Sequence, residues 1–467
     1  MPERCPPLRC VASVSGIRGV IGDDLAPDQV LALAAAFGVA IAGRGPVVLG
    51  RDSRPTGALL AAAASAGLAG VGCEVIDLGI VPTPTVALAV RHHRAAGGVQ
   101  ISASHNPVEW NALKCFTGEG RNIAQDQLDW ILNAYADPPI GQWSRWDAVG
   151  AIRQDDQAIR RHLDAVIAAV DADAIRRARL AVAIDCVNGA GARSGPELLR
   201  RLGCRVTVID GREDQPFPRD PEPTSANTAR TAAMVAASGA CIGFVQDPDA
   251  DRLAVIAGDG RYLGEESTLA LCADARLAQE RAAGRSGTVV TNLSTSRMVD
   301  VLALRHGGRV VRTKVGEAHV VAGLLAERAA LAGEGNGGVI DPRVVVCRDS
   351  HIAMALILER LAAVGGDLAT LLAALPPAVM VKAKVELDRA DLPRVLAEAT
   401  AAPLATGAAV DRQDGLKLSW DDRWVSLRAS GTEPVGRIIA EAPDRAAAEA
   451  MVAAVAAAGH LTLIESH

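Results

Sequence analysis

Lysine is scarce in this chain. Five residues, Lys114, Lys314, Lys382, Lys384 and Lys417, stand against 43 arginines in 467 positions. A genomic preference for arginine codons accounts for the imbalance, yet it leaves a pointer. Lysine can release its proton in a protein and arginine cannot, so a lysine kept in an arginine-rich chain marks candidate proton chemistry. Paired cysteines are missing as well. The nine cysteines are an odd number without a C-x-x-C, which argues against a disulfide framework or a zinc site and for a reducing compartment. There is no polybasic run and the net charge is −6, which speaks against a nucleic-acid partner. The apolar stretch Val30 to Ala42 is alanine-rich and too short to span a bilayer, and no basic-then-apolar leader opens the sequence. The expectation is a cytoplasmic protein with no nucleic-acid or membrane partner. No G-x-S-x-G elbow and no Walker loop occurs, which removes the α/β-hydrolase and P-loop ATPase readings.

What is present is apolar content of 49% with 22% charged residues, enough for a large packed core. At roughly 150 residues per domain the length suggests about three or four domains. Three segments repeat one pattern of β-rich run, polar loop and helical stretch: Val47–Ser53, Leu180–Ala190 and Val289–Ser296. Strands alternating with helices predict α/β layers, with ligands at the C-terminal ends of the strands. Asp155 to Ala169 reads as an amphipathic helix that opens a second domain. Asp259-Gly260 is a hairpin turn after the strand Leu253–Ala257, and Pro376-Pro377 is a break. Beyond that break Val379–Leu387 alternates like a strand, Lys417–Trp420 and Trp424–Arg428 form a hairpin, and Asp444 to Ala458 is helical. The last unit therefore reads as α+β.

Four motifs carry chemistry. In Asp247-Pro-Asp-Ala-Asp-Arg252 three carboxylates alternate after a predicted strand, Cys241–Val245. On extended backbone they share one face. Two such charges about 4 Å apart repel by roughly 4 kcal/mol at an effective dielectric of 20, so three that converge need a cation. Oxygen-only ligands favour Mg²⁺, Mn²⁺ or Ca²⁺; the bland alternative is a solvated acidic turn. An EF-hand fails, because Arg252 and Gly258 stand where Gly and Glu are required. In Ile101-Ser-Ala-Ser-His-Asn-Pro107, Ser104 is either a nucleophile or a turn residue, and Lys114, ten residues on, is either a proton carrier or a surface lysine. Gly333-Glu-Gly-Asn-Gly-Gly338 matches G-x-G-x-x-G, but Leu324–Leu331 reads as helix and no helix follows, so a tight loop presenting Glu334 and Asn336 to sugar hydroxyls is the better reading. Arg428-Ala-Ser-Gly-Thr-Glu-Pro434 can wrap a phosphate, and Arg18 in Ser15-Gly-Ile-Arg-Gly19 is a similar candidate.

In this order and spacing the motifs resemble the α-D-phosphohexomutase superfamily over nearly the full chain. The resemblance implies three related α/β domains with mixed sheets around a central cleft plus a smaller C-terminal α+β domain, with bounds at 1–154, 155–258, 259–375 and 376–467. It makes Ser104 the phosphorylated residue with His105 beside it, Lys114 the general acid/base and Arg18 the N-terminal arginine. One Mg²⁺ is implied, held by Asp247, Asp249, Asp251 and a phosphoserine oxygen of Ser104. Arg252, Lys314, His319, Glu334, Asn336, Arg428, Ser430, Gly431 and Thr432 are the implied substrate contacts. The expected reaction interconverts hexose 6-phosphate and hexose 1-phosphate through a sugar 1,6-bisphosphate, which also serves as activator. Asn336 stands where many phosphomannomutases and phosphoglucomutases carry serine. The sugar loop looks more like that of archaeal-type phosphoglucosamine mutases, so glucosamine phosphate is the leading expectation and glucose or mannose phosphate the alternative. A lysine pKa lowered by neighbouring cations would suit the proton role. The rivals are a metal-dependent sugar phosphatase and an inactive sugar-phosphate binding protein. The partners expected are small-molecule sugar phosphates, with a monomer or a homodimer as the assembly.

Overall fold

The computed structural model describes residues 8–41, 43, 45–136, 143–388, 390–429 and 435–466. Contacts gather the chain into two units, Met1–Arg276 with Asn336–Leu371, and Leu277–Gly335 with Leu372–His467.

The first unit contains two sheets of one plan. In the first, Val47–Arg51 lies between Val75–Ile80 and Gly97–Ile101, all parallel, and Trp110–Thr117 returns antiparallel beside Gly97–Ile101. In the second, Ala181–Asp185 lies between Arg205–Ile209 and Ile242–Gln246, again parallel, and Leu253–Ala257 returns beside Ile242–Gln246. The inner strands read as continuous apolar runs because both of their faces are covered. Helices Pro27–Ala40 and Gly57–Gly70 pack Leu33, Phe37, Leu60 and Leu68 with Val47, Leu49 and Val99. Small residues let these helices approach closely: a Cβ on Gly67 would lie 2.2 Å from the Leu31 carbonyl oxygen. The edge of the first sheet is completed by Gly16–Val20 and Val11–Ser13 on one side and Ile152–Gln154 on the other. The helix expected from Asp155 runs from Ala158 to Ala168 and buries Ile159, His162, Leu163 and Val166, the 3.6-residue stripe that marked it in the sequence.

In the second unit Thr288–Asn292 lies parallel between Arg309–Thr313 and Leu331–Glu334, the same strand order for a third time. Here the sequence reading needs a correction. Leu324–Leu331 is not one helix: Glu317–Glu327 ends at Arg328, whose φ of 46° is a left-handed cap, and Leu331 already opens a strand. A short apolar run buried on both faces carries no period that separates strand from helix. The C-terminal part is a mainly antiparallel sheet whose strand Val379–Glu386 buries Val381, Ala383 and Val385 and exposes Lys382 and Lys384. The hairpin Leu416–Ser419 with Trp424–Ala429 and the helix Arg445–Ala458 stand as expected. Three α/β sheets of one plan and a smaller α+β unit make up the fold. Among the described residues no helix is long and apolar enough to cross a membrane, and the cysteines form no disulfide.

Candidate active site

The serine loop joins the third parallel strand, Gly97–Ile101, to its antiparallel neighbour Trp110–Thr117. Ser104 has φ +52°, a left-handed conformation that side chains rarely adopt. The surroundings over-determine it. Fully buried Arg54 donates to the carbonyl oxygens of Ser104 at 2.5 Å, Asn106 at 2.7 Å and Pro107 at 2.6 Å, and through Nε to Asp52 at 3.1 Å. Asp52 accepts the Ser102 hydroxyl at 2.6 Å, and Ser102 Oγ accepts the Ser104 N–H at 3.0 Å. Strain of about 1–2 kcal/mol at a left-handed residue persists where such a network leaves no alternative.

The acidic loop occupies the equivalent place in the second sheet, between Ile242–Gln246 and Leu253–Ala257. It is a tight turn rather than the extended segment expected. Ala250 has φ +54°, and Asp247 Oδ1 accepts the N–H groups of Asp251 at 3.1 Å and Arg252 at 3.0 Å. The turn, not strand alternation, brings the carboxylates together. All three are buried, with a ligand oxygen of each within 4.8 Å of the others. Thr83 Oγ1 donates to Asp249 Oδ2 at 2.6 Å, Lys114 donates to Asp249 and Asp251, and Arg348 donates to Asp251 at 2.7 Å. The two loops meet where Ser104 Oγ donates to Asp247 Oδ2 at 2.5 Å.

Burial, with Asp249 and Asp251 adding to it, pushes the Asp247 carboxyl well above the usual range. At Asp249 burial acts the same way, but Lys114 and Thr83 outweigh it and hold that carboxyl low. Oδ1 of Asp249 and Oδ1 of Asp251 are buried without a hydrogen-bond partner among the described residues. Converging carboxylates with uncapped oxygens and no nitrogen or sulfur donor fit a hard divalent cation such as Mg²⁺.

Around this cluster stand cations. Arg18 donates to Asn106 Oδ1 at 3.3 Å and to the Ser15 carbonyl at 3.1 Å, which joins the N-terminal motif to the serine loop. Burial lowers the Arg18 pKa, and Arg252 and Arg348 lower it further. Guanidiniums that repel one another beside a hydroxyl form a setting that a dianionic phosphate relieves. His105 Nδ1 lies 3.4 Å from Ser104 Oγ. Arg252, burial and Arg18 push its pKa down to about 2. Lys114 departs from expectation. Burial disfavours its charge, but Asp249 and Asp251 together outweigh burial and Arg348, and its pKa is raised. Its dominant neighbours are carboxylates, not the cations expected.

The second unit gathers a separate set. Glu334 accepts from Asn292 Nδ2 at 2.9 Å and from the Gly316 N–H at 3.2 Å, and Asp414 accepts the Val315 N–H at 3.0 Å. Arg428 lies in the field of Asp414 and Glu334, with its Nε buried and without a hydrogen-bond partner among the described residues. Lys314 and His319 flank the Val315–Gly316 turn and are exposed. Ser430, Gly431 and Thr432 lie outside the described residues. Asn336 belongs to the first unit, where its Oδ1 accepts the Gly338 N–H at 3.1 Å. Gly337 between them is required: its φ is +81°, and a Cβ there would lie 2.2 Å from the Leu253 carbonyl oxygen.

Comparison with known proteins bears on this arrangement directly. The sequence matches all four domains described for phosphoglucomutase/phosphomannomutase: α/β/α domain I over residues 11–138, II over 160–260, III over 265–379 and the C-terminal domain over 380–458. A phosphoglucomutase/phosphomannomutase of Thermococcus kodakarensis is 37% identical over 91% of this chain and 93% of its own. The chain belongs to the phosphoglucomutase/phosphomannomutase family. A protein of Methanopyrus kandleri named "Probable phosphoglucosamine mutase" is 35% identical over 92% of this chain and 93% of its own. The crystal structure of a phosphoglucomutase/phosphomannomutase family protein from Burkholderia thailandensis superimposes with a TM-score of 0.82 at 26% identity, over 97% of this chain and all of that one. This protein is therefore an isomerase of the phosphohexomutase class.

Several residues of the mutase site escaped the sequence reading: Asp52, Arg54, Thr83, Ser102 and Arg348. A signal existed for some of them. Arg-Asp-Ser occurs at 51–53, at the end of the strand Val47–Arg51 and just before Arg54, and again at 348–350. Its meaning depends on contacts 50 or more residues away, such as those of Arg54 with the serine loop and of Arg348 with Asp251.

Proposed function

We propose that this phosphohexomutase interconverts glucosamine 6-phosphate and glucosamine 1-phosphate through a phosphorylated Ser104 and a 1,6-bisphosphate intermediate. The hydrogen bond between Ser104 Oγ and Asp247 Oδ2 carries the reading, because it joins a hydroxyl in a strained loop to a cluster of converging carboxylates. Asp247, Asp249, Asp251 and an oxygen on Ser104 would hold one Mg²⁺, which when bound supplies charge neutralisation to the transferring phosphoryl group. Arg18 and Arg252 hold the phosphate charge, and His105 donates a neutral hydrogen bond. The hydroxyl oxygen of the sugar forms a bond to phosphorus as the bond from Ser104 Oγ breaks. Lys114, which gives up its own proton to solvent once the charge of Asp249 and Asp251 is neutralised, takes the hydroxyl proton as the free amine; Ser104 Oγ leaves phosphorus with a proton from solvent, and the reverse half-reaction returns each proton. Positioning and electrostatics dominate phosphoryl transfer of this kind. Glu334, Asn336, Lys314 and His319 recognise the sugar, and Arg428 with Ser430, Gly431 and Thr432 grips the distal phosphate. The preference for glucosamine rests on Asn336 in the sugar loop and on the name of the Methanopyrus kandleri relative; glucose and mannose phosphates are the alternative substrates. We further assign the domain bounds 1–154, 155–258, 259–375 and 376–467, a cytoplasmic location, and activation by a sugar 1,6-bisphosphate acting on a monomer or homodimer.

Three measurements test this. Incubation with glucose 1,6-bisphosphate adds one phosphate to the peptide carrying Ser104, and Ser104→Ala lowers turnover by more than roughly 10³-fold while the protein stays folded. Wild-type turnover in that variant removes the phosphoserine. A side-by-side assay of glucosamine, glucose and mannose 1-phosphates decides the sugar, with glucosamine expected to show the highest kcat/KM.

A further inference from the structure

A second cluster of ligating side chains lies in the first unit: His162, Asp349 and His351, all fully buried. It is a poor metal centre. It offers three protein donors where a structural site wants four, and full burial denies it the open position of a catalytic one. Three of its four ring nitrogens are also hydrogen-bonded, and the fourth, His351 Nδ1, lies 3.3 Å from Asp349 Oδ1. His162 Nδ1 is 2.9 Å from Thr85 Oγ1, His162 Nε2 is 2.9 Å from Asp349 Oδ2, and His351 Nε2 is 2.8 Å from Ser194 Oγ.

What His162 connects is more telling. Thr85 is in the first turn of the helix Thr83–His93, whose leading residue grips the acidic loop twice: the Thr83 N–H donates to the Asp249 carbonyl at 3.0 Å and its hydroxyl to Asp249 Oδ2 at 2.6 Å. Asp349 is the N-cap of the helix Ser350–Ala363. Beside it, Arg348 donates to Asp251 at 2.7 Å. Ser350 holds the carbonyl of left-handed Ala250 through its hydroxyl at 2.7 Å and its N–H at 3.3 Å, and Gln246 Nε2 donates to Ser350 Oγ at 2.8 Å. One helix start holds Asp249, the other holds Ala250 and Asp251, and one imidazole joins the two. Ionised Asp349 can only accept, so Nε2 of His162 donates to it. Burial opposes the charge of Asp349, but His162 and His351 outweigh it and keep the carboxyl below its usual range.

We propose that His162 is a positioning residue for the acidic loop, acting through Thr85 on one side and through Asp349 on the other to fix the spacing of Asp249 and Asp251. The inference rests on the acidic loop being the cation site of the proposed function. Groups that orient ligands from behind typically govern metal affinity by about 10–100-fold. The test is a calorimetric titration of the apo enzyme with Mn²⁺ alone, beside mutase assays over a range of Mg²⁺. His162→Ala is expected to raise the Kd for Mn²⁺ by about tenfold or more and to raise the Mg²⁺ concentration needed for half-maximal turnover in step. His162→Gln retains a donor toward Asp349, so it recovers much of the affinity, whereas His162→Asn retains only the reach toward Thr85 and does not. A merely structural role lowers Tm in His162→Ala and leaves the Mn²⁺ Kd of the folded protein at the wild-type value, and that result overturns the inference. Should His162→Ala not fold, the contrast between the Gln and Asn variants decides, and equal Kd values in the two overturn it. Absence of Mn²⁺ binding by the wild-type enzyme would instead strike the cation site itself, and the positioning role with it.

Discussion

The serine loop and the acidic loop occupy the same place in two sheets of one plan, and each turns on a left-handed residue, Ser104 at φ +52° and Ala250 at φ +54°. They are held in different ways. The serine loop is gripped through its backbone: one buried guanidinium satisfies three carbonyls and leaves the Ser104 hydroxyl pointed at Asp247. The acidic loop is gripped through its side chains as well, by Thr83, Lys114 and Arg348, while the N–H groups of Ala190, Thr83 and Ser350 hold the carbonyls of Pro248, Asp249 and Ala250. A loop whose side chain must react is fixed by its main chain. A loop whose side chains must stay converged is fixed by opposing charge. The same repeated strand order thus carries the proposed reacting hydroxyl in one copy and a charge cluster in the other.

The strongest way to break this contrast is Arg54→Met. It leaves Asp52 buried without its cation and three carbonyls without their donor, for a stability loss of roughly 3–5 kcal/mol. It also misplaces Ser104, lowering kcat by about 100-fold. Because the grip is on the serine loop, which supplies one of the four proposed ligands, the Kd for Mn²⁺ of the folded variant should rise by much less than kcat falls; a loss of cation affinity as large as the loss of kcat would show that the two loops are held as one.

A second test contrasts two buried lysines. Carboxylates raise the pKa of Lys114 in the first unit. In the second unit burial, with Arg312 adding to it, lowers that of Lys417 to about 7 from the ordinary 10.5. Lys417 Nζ donates to the Leu293 carbonyl at 2.5 Å and lies 4.2 Å from the centre of the Trp424 ring. Above pH 7 the unfolded chain keeps a proton on this lysine that the folded chain has released, so stability rises with pH through that window and is penalised below it. The expected slope is at most about 1.4 kcal/mol per pH unit. Tm measured from pH 6 to 9 should climb in the wild type relative to Lys417→Met, and parallel curves would place the Lys417 pKa in the ordinary range.

The smallest effect is expected at the turn itself. Ala250→Gly relieves left-handed strain of about 1–2 kcal/mol but adds roughly 0.5–1 kcal/mol of unfolded-state freedom. Tm should therefore move by no more than about 2–4 °C, with activity retained. A large loss of Mn²⁺ affinity would show that the Ala250 methyl, and not only its backbone angle, shapes the acidic loop.

Much of this was legible in the order of residues. Strand–loop–helix repeats announced the sheets, the alternation at Val381, Ala383 and Val385 announced the C-terminal strand, and the acidic and serine motifs named Ser104, Asp247, Asp249 and Asp251. These are local patterns, set by periodicity and by residue type. The strand at Leu331 was missed because a run buried on both faces has no period of its own. The acidic loop was misjudged as extended because one left-handed alanine, which no composition announces, turns it back on itself.

Sequence alone determined which chemical groups this mutase possesses and on which elements they ride, since hydrophobic period and side-chain chemistry are properties of neighbours along the chain. Only the tertiary structure decided their electrical state and aim: that Lys114 faces carboxylates and keeps its proton, that Arg54 and Arg348 serve different loops, and that His162 joins two helix starts. Coulomb interactions and hydrogen bonds act over a few ångströms of space, and the partners here are separated by up to 187 positions of chain.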